Sequence, residues 1–121
     1  MVLLVDDQSA MRQGLRLRLG IEPDIAVVGE AGDGQTAIDL ARRLTPDVVV
    51  MDVTMPGMDG IAATRALRAA VPTTAVVILT LHDDTTTRNR ASEAGAAAFV
   101  AKHQPPSDLL AAIRTVASGR E

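Results

Sequence analysis

Three aspartates and one lysine are placed where they could do chemistry together. Asp52 closes the apolar run VVVM (48–51) and is followed at once by the loop VTMPGMDG (53–60). Asp6 and Asp7 close the first apolar run, VLLV (2–5), and Lys102, the only lysine in 121 residues, follows the last, AAAFVA (96–101). A strand covered on both faces gains nothing from a terminal carboxylate unless that carboxylate is presented for use. Brought into one pocket, three carboxylates repel, and at least one takes up a proton unless cations compensate. Lys102 offers one positive charge, and a divalent ion would balance the rest.

The elements that must position these groups alternate in period. Mostly solid apolar runs at 2–5, 25–30 (IAVVGE), 48–51, 75–79 (AVVIL) and 97–100 (AAFV) predict strands covered on both faces. Helical patterns lie between them, near 9–20, 34–44, 58–70, 84–94 and 107–118. For the last helix Ser107 is the expected N-cap. Leu109, Leu110, Ile113, Val116 and Ala117 then recur at helical spacing up to Gly119, expected at C′. The segment 84–94 (DTTTRNRASEA) has almost no apolar stripe and is predicted to be the least stable element and a mobile one.

Five strands alternating with five helices predict a single doubly wound α/β domain with a five-stranded parallel sheet, because each crossover is too long for a hairpin. In such a sheet all C-terminal strand ends share one edge, and ligands bind there at the topological switch point. Asp6, Asp7, Asp52, Thr80 and Lys102 all fall at that edge.

Composition excludes several classes of function. The chain has 47% hydrophobic and 22% charged residues and no cysteine, so thiol chemistry, disulfides and thiolate metal sites are absent. A net charge of −3 and the single aromatic Phe99 argue against direct nucleic-acid binding. No apolar run approaches the roughly 20 residues of a membrane helix, and no signal peptide opens the chain, so a soluble, cytoplasmic protein is expected.

Together VDD (5–7), MDVTMPGMDG (51–60), Thr80 and the spacing of Phe99 from Lys102 resemble the receiver domain of bacterial two-component response regulators, over essentially the whole chain. The segment AGAAAFVAKHQPPSDLLAAIRTVASG resembles the NarL/FixJ subgroup, whose receivers precede a LuxR-type helix-turn-helix. A flavodoxin-like fold with strand order 2-1-3-4-5 is implied, an order that chemotaxis receivers share. The resemblance implies Asp52 as phosphoacceptor, and Asp6, Asp7, Asp52 and the Thr54 backbone carbonyl as the Mg²⁺ site, with Asp7 direct and Asp6 acting largely through water. It implies Thr80 as the hydroxyl that bonds the phosphoryl group, Phe99 as the rotating aromatic and Lys102 as the countercharge. Thr54 and His82 flank the pocket at positions that tune phosphoryl lifetime in this family. Mg²⁺ suits such a site physically, because it prefers a few carboxylates, retained waters and phosphate oxygens. Many receivers carry Pro directly after the lysine; here His103 follows, so no slow isomerisation at that bond is expected.

The resemblance further implies a sensor histidine kinase as donor and a homodimer formed on phosphorylation. It also implies a DNA-binding output domain absent from this chain, so that 1–121 is the receiver alone. A stand-alone receiver acting as phosphoryl carrier or as regulator of a partner protein is the alternative. The chain is not expected to be an enzyme beyond catalysing its own Mg²⁺-dependent phosphorylation and dephosphorylation.

Plainer readings accompany each residue. Asp6 and Asp7 alone fit equally well as caps of helix 9–20, Asp59 reads as a cap, and Met55, Pro56 and Gly57 read as turn chemistry. Phe99 alone would be core and Lys102 alone a solvated charge. A phosphatase of the haloacid dehalogenase type needs a second Asp two residues after the nucleophile, where Thr54 stands. A flavodoxin-like FMN carrier needs a donor-rich phosphate loop where Asp6 and Asp7 would repel phosphate.

Overall fold

The computed structural model describes residues 1–119; Arg120 and the expected domain limit at Glu121 lie outside the described residues. The elements run β1 (Val2–Val5), α1 (Ser9–Gly20), β2 (Val27–Ala31), α2 (Gly34–Leu44), β3 (Val48–Met51), α3 (Gly60–Ala70), β4 (Ala75–Thr80), α4 (Thr85–Ala94), β5 (Ala98–Ala101) and α5 (Pro106–Ser118). All neighbouring strands pair in parallel, in the order β2-β1-β3-β4-β5, as expected.

Period-two alternation sends successive strand residues to opposite faces. Leu3, Val5, Val49, Met51, Val76 and Ile78 pack toward Ala37 and Ile38 of α2, Ile61 and Leu67 of α3, and Ala91 and Ala94 of α4. Val2, Leu4, Val48, Val50, Val77 and Leu79 pack toward Leu19 of α1 and Leu109, Leu110 and Ile113 of α5. Each fully buried side chain of this size contributes about 1.5–3 kcal/mol over its exposed state. The two covered faces explain why β1, β3 and β4 read as unbroken apolar runs.

Several boundaries differ from expectation for local reasons. β2 occupies Val27–Ala31 rather than 25–30. Ile25 is buried, yet its amide donates to the Glu22 carbonyl in a turn (3.2 Å), so its apolar character reflects packing and not pairing. α3 begins at Gly60 rather than 58 because Asp59 caps it, accepting from the Ala62 amide at 2.8 Å. Ser107 is not the N-cap of α5. The helix begins at Pro106, whose fixed φ suits a first helical position, with Pro105 before it. Gly119 is not a left-handed C′ residue either; it has φ −80° and its amide closes on the Thr115 carbonyl at 3.0 Å.

α4 is held by little apolar surface. It buries only Thr87, Ala91 and Ala94, and depends on Asp84, whose two carboxylate oxygens accept from the Thr87 amide (2.8 Å) and hydroxyl (2.9 Å).

Candidate functional site

Strand register assembles the site. Val5 pairs with Met51, and the Asp52 amide donates to the Val5 carbonyl at 3.0 Å, so the carboxylates that follow β1 and β3 emerge side by side. Thr80 pairs with Ala101, and the Lys102 amide donates to the Thr80 carbonyl at 2.8 Å, which brings the lysine to the same edge. Lys102 Nζ then lies 2.9 Å from Asp6 Oδ2 and 3.3 Å from Asp52 Oδ2. The three side chains are 8%, 3% and 9% exposed, in the order Lys102, Asp6, Asp52.

Asp6 has both oxygens engaged, since Oδ1 also accepts the Gln8 amide at 2.9 Å. Asp7 differs. It is exposed, and no hydrogen bond or ion pair holds its carboxylate among the described residues. Oxygens of Asp6, Asp7 and Asp52 lie within 4.8 Å of one another, a spacing one small cation can bridge. Asp7, Asp52, Thr54, Thr80, His82 and Lys102 line a cavity of about 170 Å³. A larger concavity of about 590 Å³, beside Arg68, Gly95 and Val116, sits at the opposite, N-terminal edge of the sheet and holds no such constellation.

Burial pushes the Asp52 carboxyl above its usual value; Lys102 opposes this and the Asp6 charge adds to it. Burial alone would lower the Lys102 ammonium, but its hydrogen bond to Asp6 and the Asp52 charge overcome that and raise it. The site therefore keeps its lysine charged while holding one carboxylate in unfavourable surroundings, an arrangement suited to receiving further positive charge.

Thr80 is fully buried, and its hydroxyl accepts the His82 amide at 3.2 Å, which brings the exposed His82 to the cavity rim. Phe99 is not in the cavity. It is half-buried against the core, and the Arg88 guanidinium of α4 lies 4.5 Å from its ring centre. Arg88 is in turn paired with Asp83 at 2.7 Å. Asp59 fulfils its reading as a helix cap, whereas α1 has Gln8 at its cap position without a side-chain bond, so neither Asp6 nor Asp7 caps it.

Sequence reasoning passed over two residues here. Gly60 packs so tightly on the Asp52 backbone that a Cβ built on it would fall 1.8 Å from the Asp52 carbonyl oxygen. A glycine next to an acidic cap ending MPGMDG is a visible signal for such an approach. Arg12 donates from Nη1 to the Asp6 backbone carbonyl and from Nε to Glu30 at 3.1 Å, a contact through space that no local pattern announces.

A sheet that gathers acids, a hydroxyl and an ammonium at its switch point places the molecule among doubly wound α/β domains that bind ligands at the C-terminal strand edge. Residues 2–114 match the family described as response regulator receiver domain, and the chain belongs to that family. The nitrate/nitrite response regulator protein NarP of Escherichia coli (strain K12) is 43% identical over 118 residues, covering 98% of this chain and 55% of that protein. A two-component response regulator of the LuxR family from Aurantimonas sp. SI85-9A1 superposes with a TM-score of 0.94 at 41% identity, covering 99% of this chain and 86% of that one. The response regulator domain of Thermotoga maritima CheB gives a TM-score of 0.90 at 31% identity, covering 97% and 95%. The resemblance to the NarL and LuxR-type subgroup thus holds. The chain spans about half the length of the curated relatives it matches. Among the described residues no helix is long and apolar enough to cross a membrane.

Proposed function

We propose that residues 1–121 form one receiver domain that switches when Asp52 accepts a phosphoryl group from a sensor histidine kinase. A carboxylate oxygen of Asp52 attacks the phosphorus of a kinase phosphohistidine. The new O–P bond forms as the P–N bond breaks, and the departing imidazole nitrogen keeps the electron pair and is protonated. Such transfers pass through a transition state with charge spread over the equatorial oxygens, so positioning and electrostatics dominate. Lys102, already beside Asp52, meets that charge from one side.

The donor set fits Mg²⁺: hard oxygens, with Asp7 free and exposed, and three carboxylates within reach of one ion. Asp7, Asp52 and the Thr54 carbonyl would hold it directly, and Asp6 would act through water. When bound, Mg²⁺ supplies two positive charges against the phosphoryl oxygens. Thr80 donates its hydroxyl to a phosphoryl oxygen, and Thr54 and His82 at the rim influence how fast water removes the group. The domain is thus the catalyst of its own phosphorylation and dephosphorylation, and not an enzyme acting on a separate substrate.

Phosphorylation adds about one negative charge and new acceptor oxygens. Thr80 moves inward, Phe99 turns into the space it leaves, and α4 shifts because little apolar contact restrains it. The altered face presents a homodimer contact. The half-length match to relatives that include a transcriptional regulatory protein supports a receiver that works with a DNA-binding output domain over a stand-alone phosphoryl carrier. Its place is the cytoplasm.

The observation that carries this reading is Lys102 Nζ bridging Asp6 and Asp52 with Asp7 completing the acidic cluster. Incubation with acetyl phosphate and Mg²⁺, followed by intact mass, should show one phosphoryl group on the parent and none on Asp52→Asn. A stoichiometrically phosphorylated Asp52→Asn protein removes the assignment.

A further inference from the structure

We infer that Arg12 is a positioning residue for the cation site, acting by holding the peptide that carries Asp7. This rests on the reading of Asp6, Asp7 and Asp52 as the Mg²⁺ site.

The Asp6 carbonyl lies one residue past the last β1 pair, and α1 starts only at Ser9, so neither sheet nor helix supplies it with a donor. Arg12 Nη1 supplies it. The Asp6–Asp7 peptide is planar, so fixing the direction of its carbonyl also fixes where the Asp7 Cα, and hence the Asp7 side chain, departs. The Asp6 amide is tied to the Ala31 carbonyl at 3.1 Å and the Asp6 carboxylate to Gln8 and Lys102, but the Asp7 carboxylate has no such anchor among the described residues. Its direction is therefore set through the backbone, by Arg12 on the peptide before it and by the bond of the Gln8 amide to Asp6 on the peptide after it.

Arg12 is itself braced. Its Nε donates to Glu30 Oε1 at 3.1 Å, while Glu30 Oε2 takes Arg16 Nη1 at 3.4 Å. The guanidinium also packs beside Gly32, where a built Cβ would sit 3.5 Å from Nη1. Only 19% of the Arg12 side chain is exposed. A planar fork with donors in two directions reaches Glu30 and the Asp6 carbonyl at once, which a single ammonium cannot do.

Electrostatics and positioning predict opposite signs, which makes the inference decidable. Deleting a nearby positive charge should tighten cation binding, whereas loosening Asp7 should weaken it. Mg²⁺ demands near-ideal octahedral geometry and Ca²⁺ tolerates irregular ligands, so positioning also predicts a selective loss.

Calorimetric titration of the full chain with Mg²⁺ and with Ca²⁺ tests this. Arg12→Ala should raise the Mg²⁺ Kd by about tenfold, the usual scale for a residue behind a metal ligand, and the Ca²⁺ Kd by much less. Arg12→Lys keeps the charge and one bond, should fall between parent and Arg12→Ala, and carries the test if Arg12→Ala does not fold. Arg16→Ala, which loses a Glu30 contact without touching Asp6, should bind Mg²⁺ as the parent does. Mg²⁺ binding by Arg12→Ala or Arg12→Lys that equals or exceeds the parent's overturns the inference, and so does an equal loss for both ions. Asp7→Ala separates the levels: if it abolishes Mg²⁺ binding and the Arg12 variants do not weaken it, only the role of Arg12 fails. Undiminished binding by Asp7→Ala removes the site reading, and this inference with it.

Discussion

Replacing Gly60 by alanine should be the most damaging one-carbon change near the site. A Cβ at this position would lie 1.8 Å from the Asp52 carbonyl oxygen, 2.7 Å from its carbonyl carbon and 2.9 Å from the Val53 Cα. Carbon–oxygen contacts settle near about 3.3 Å, so the two backbones must part by about 1.5 Å. No flexible side-chain end can give way, because all three atoms are backbone. The approach is also pinned, with the Gly60 amide donating to the Val53 carbonyl at 2.8 Å and the Thr64 hydroxyl to the Gly60 carbonyl at 2.7 Å. Overpacking at the upper end of its range, about 3 kcal/mol, plus about 1 kcal/mol for the broken Gly60 bond, gives a loss of about 4 kcal/mol. At about 4 °C per kcal/mol for a domain of this size, Tm should fall by roughly 15 °C. Urea unfolding followed by far-ultraviolet circular dichroism measures the loss, and Mg²⁺ titration should show weaker binding because Asp52 is displaced. Gly57→Ala is the control. Gly57 has φ +73° and nothing within 4 Å, so its cost is the left-handed backbone alone, about 1 kcal/mol, without effect on Mg²⁺. A Gly60→Ala protein no less stable than Gly57→Ala would refute the reasoning.

Asp52→Asn should raise the Tm of the metal-free protein at pH 7 by a few degrees. A carboxyl whose folded value is raised lends stability that is complete below its unfolded value, about 3.9, and is lost as pH rises through the folded value, so the gain should vanish in thermal scans below about pH 4. An unchanged or lower Tm at pH 7 in the presence of a chelator counts against it. Arg88→Ala should cost no more than about 1 kcal/mol, since Arg88 is 45% exposed and its contact with Phe99 is of the cation–π kind. The Phe99 ring resonances, free of overlap from other Phe, Tyr or Trp, should nonetheless shift and report a second ring orientation; identical ring signals would show that Arg88 does not restrain it. Gly14→Ala should stabilise by about 1 kcal/mol, because Gly14 lies inside α1 with nothing within 4 Å of a built Cβ, and thermal melts that show a loss would contradict this.

How much was legible depended on whether the cause was local. Apolar runs at 48–51 and 75–79 announce doubly covered strands because every side chain in them is buried against a packed face. Polar residues directly after such runs announce a site because parallel pairing leaves all those ends on one edge. Ile25 misled for the same reason that made the other strands visible: burial, and not pairing, is what hydropathy records. The start of α5 was misplaced because Pro106 at the first helical position competes with Ser107 as a start signal, and fixed proline geometry won over side-chain capping. Arg12 was invisible as a site residue, and the Arg88 contact with Phe99 was invisible too, because each acts through a partner distant in sequence, Asp6 and Glu30 for one and Phe99 for the other.

The two buried aspartates differ in how firmly Lys102 compensates them. Lys102 stands closer to Asp6 (2.9 Å) than to Asp52 (3.3 Å), and Asp6 has its second oxygen on the Gln8 amide, so Asp6 is the lysine's standing partner. An acid with both oxygens committed is a poor nucleophile and a poor direct ligand. Asp52 lines the cavity, while Asp6 does not. Burial makes its ionised form costly, and the lysine that would relieve that cost is shared. The anchored acid holds the lysine in place so that the other acid can stay loosely compensated, and a loosely compensated carboxylate is the one with most to gain from a cation and an incoming phosphoryl group. Cutting Asp6 from Lys102 would bind Asp52 more firmly to the ammonium and, if Asp52 is the phosphoacceptor proposed above, should slow its phosphorylation by acetyl phosphate.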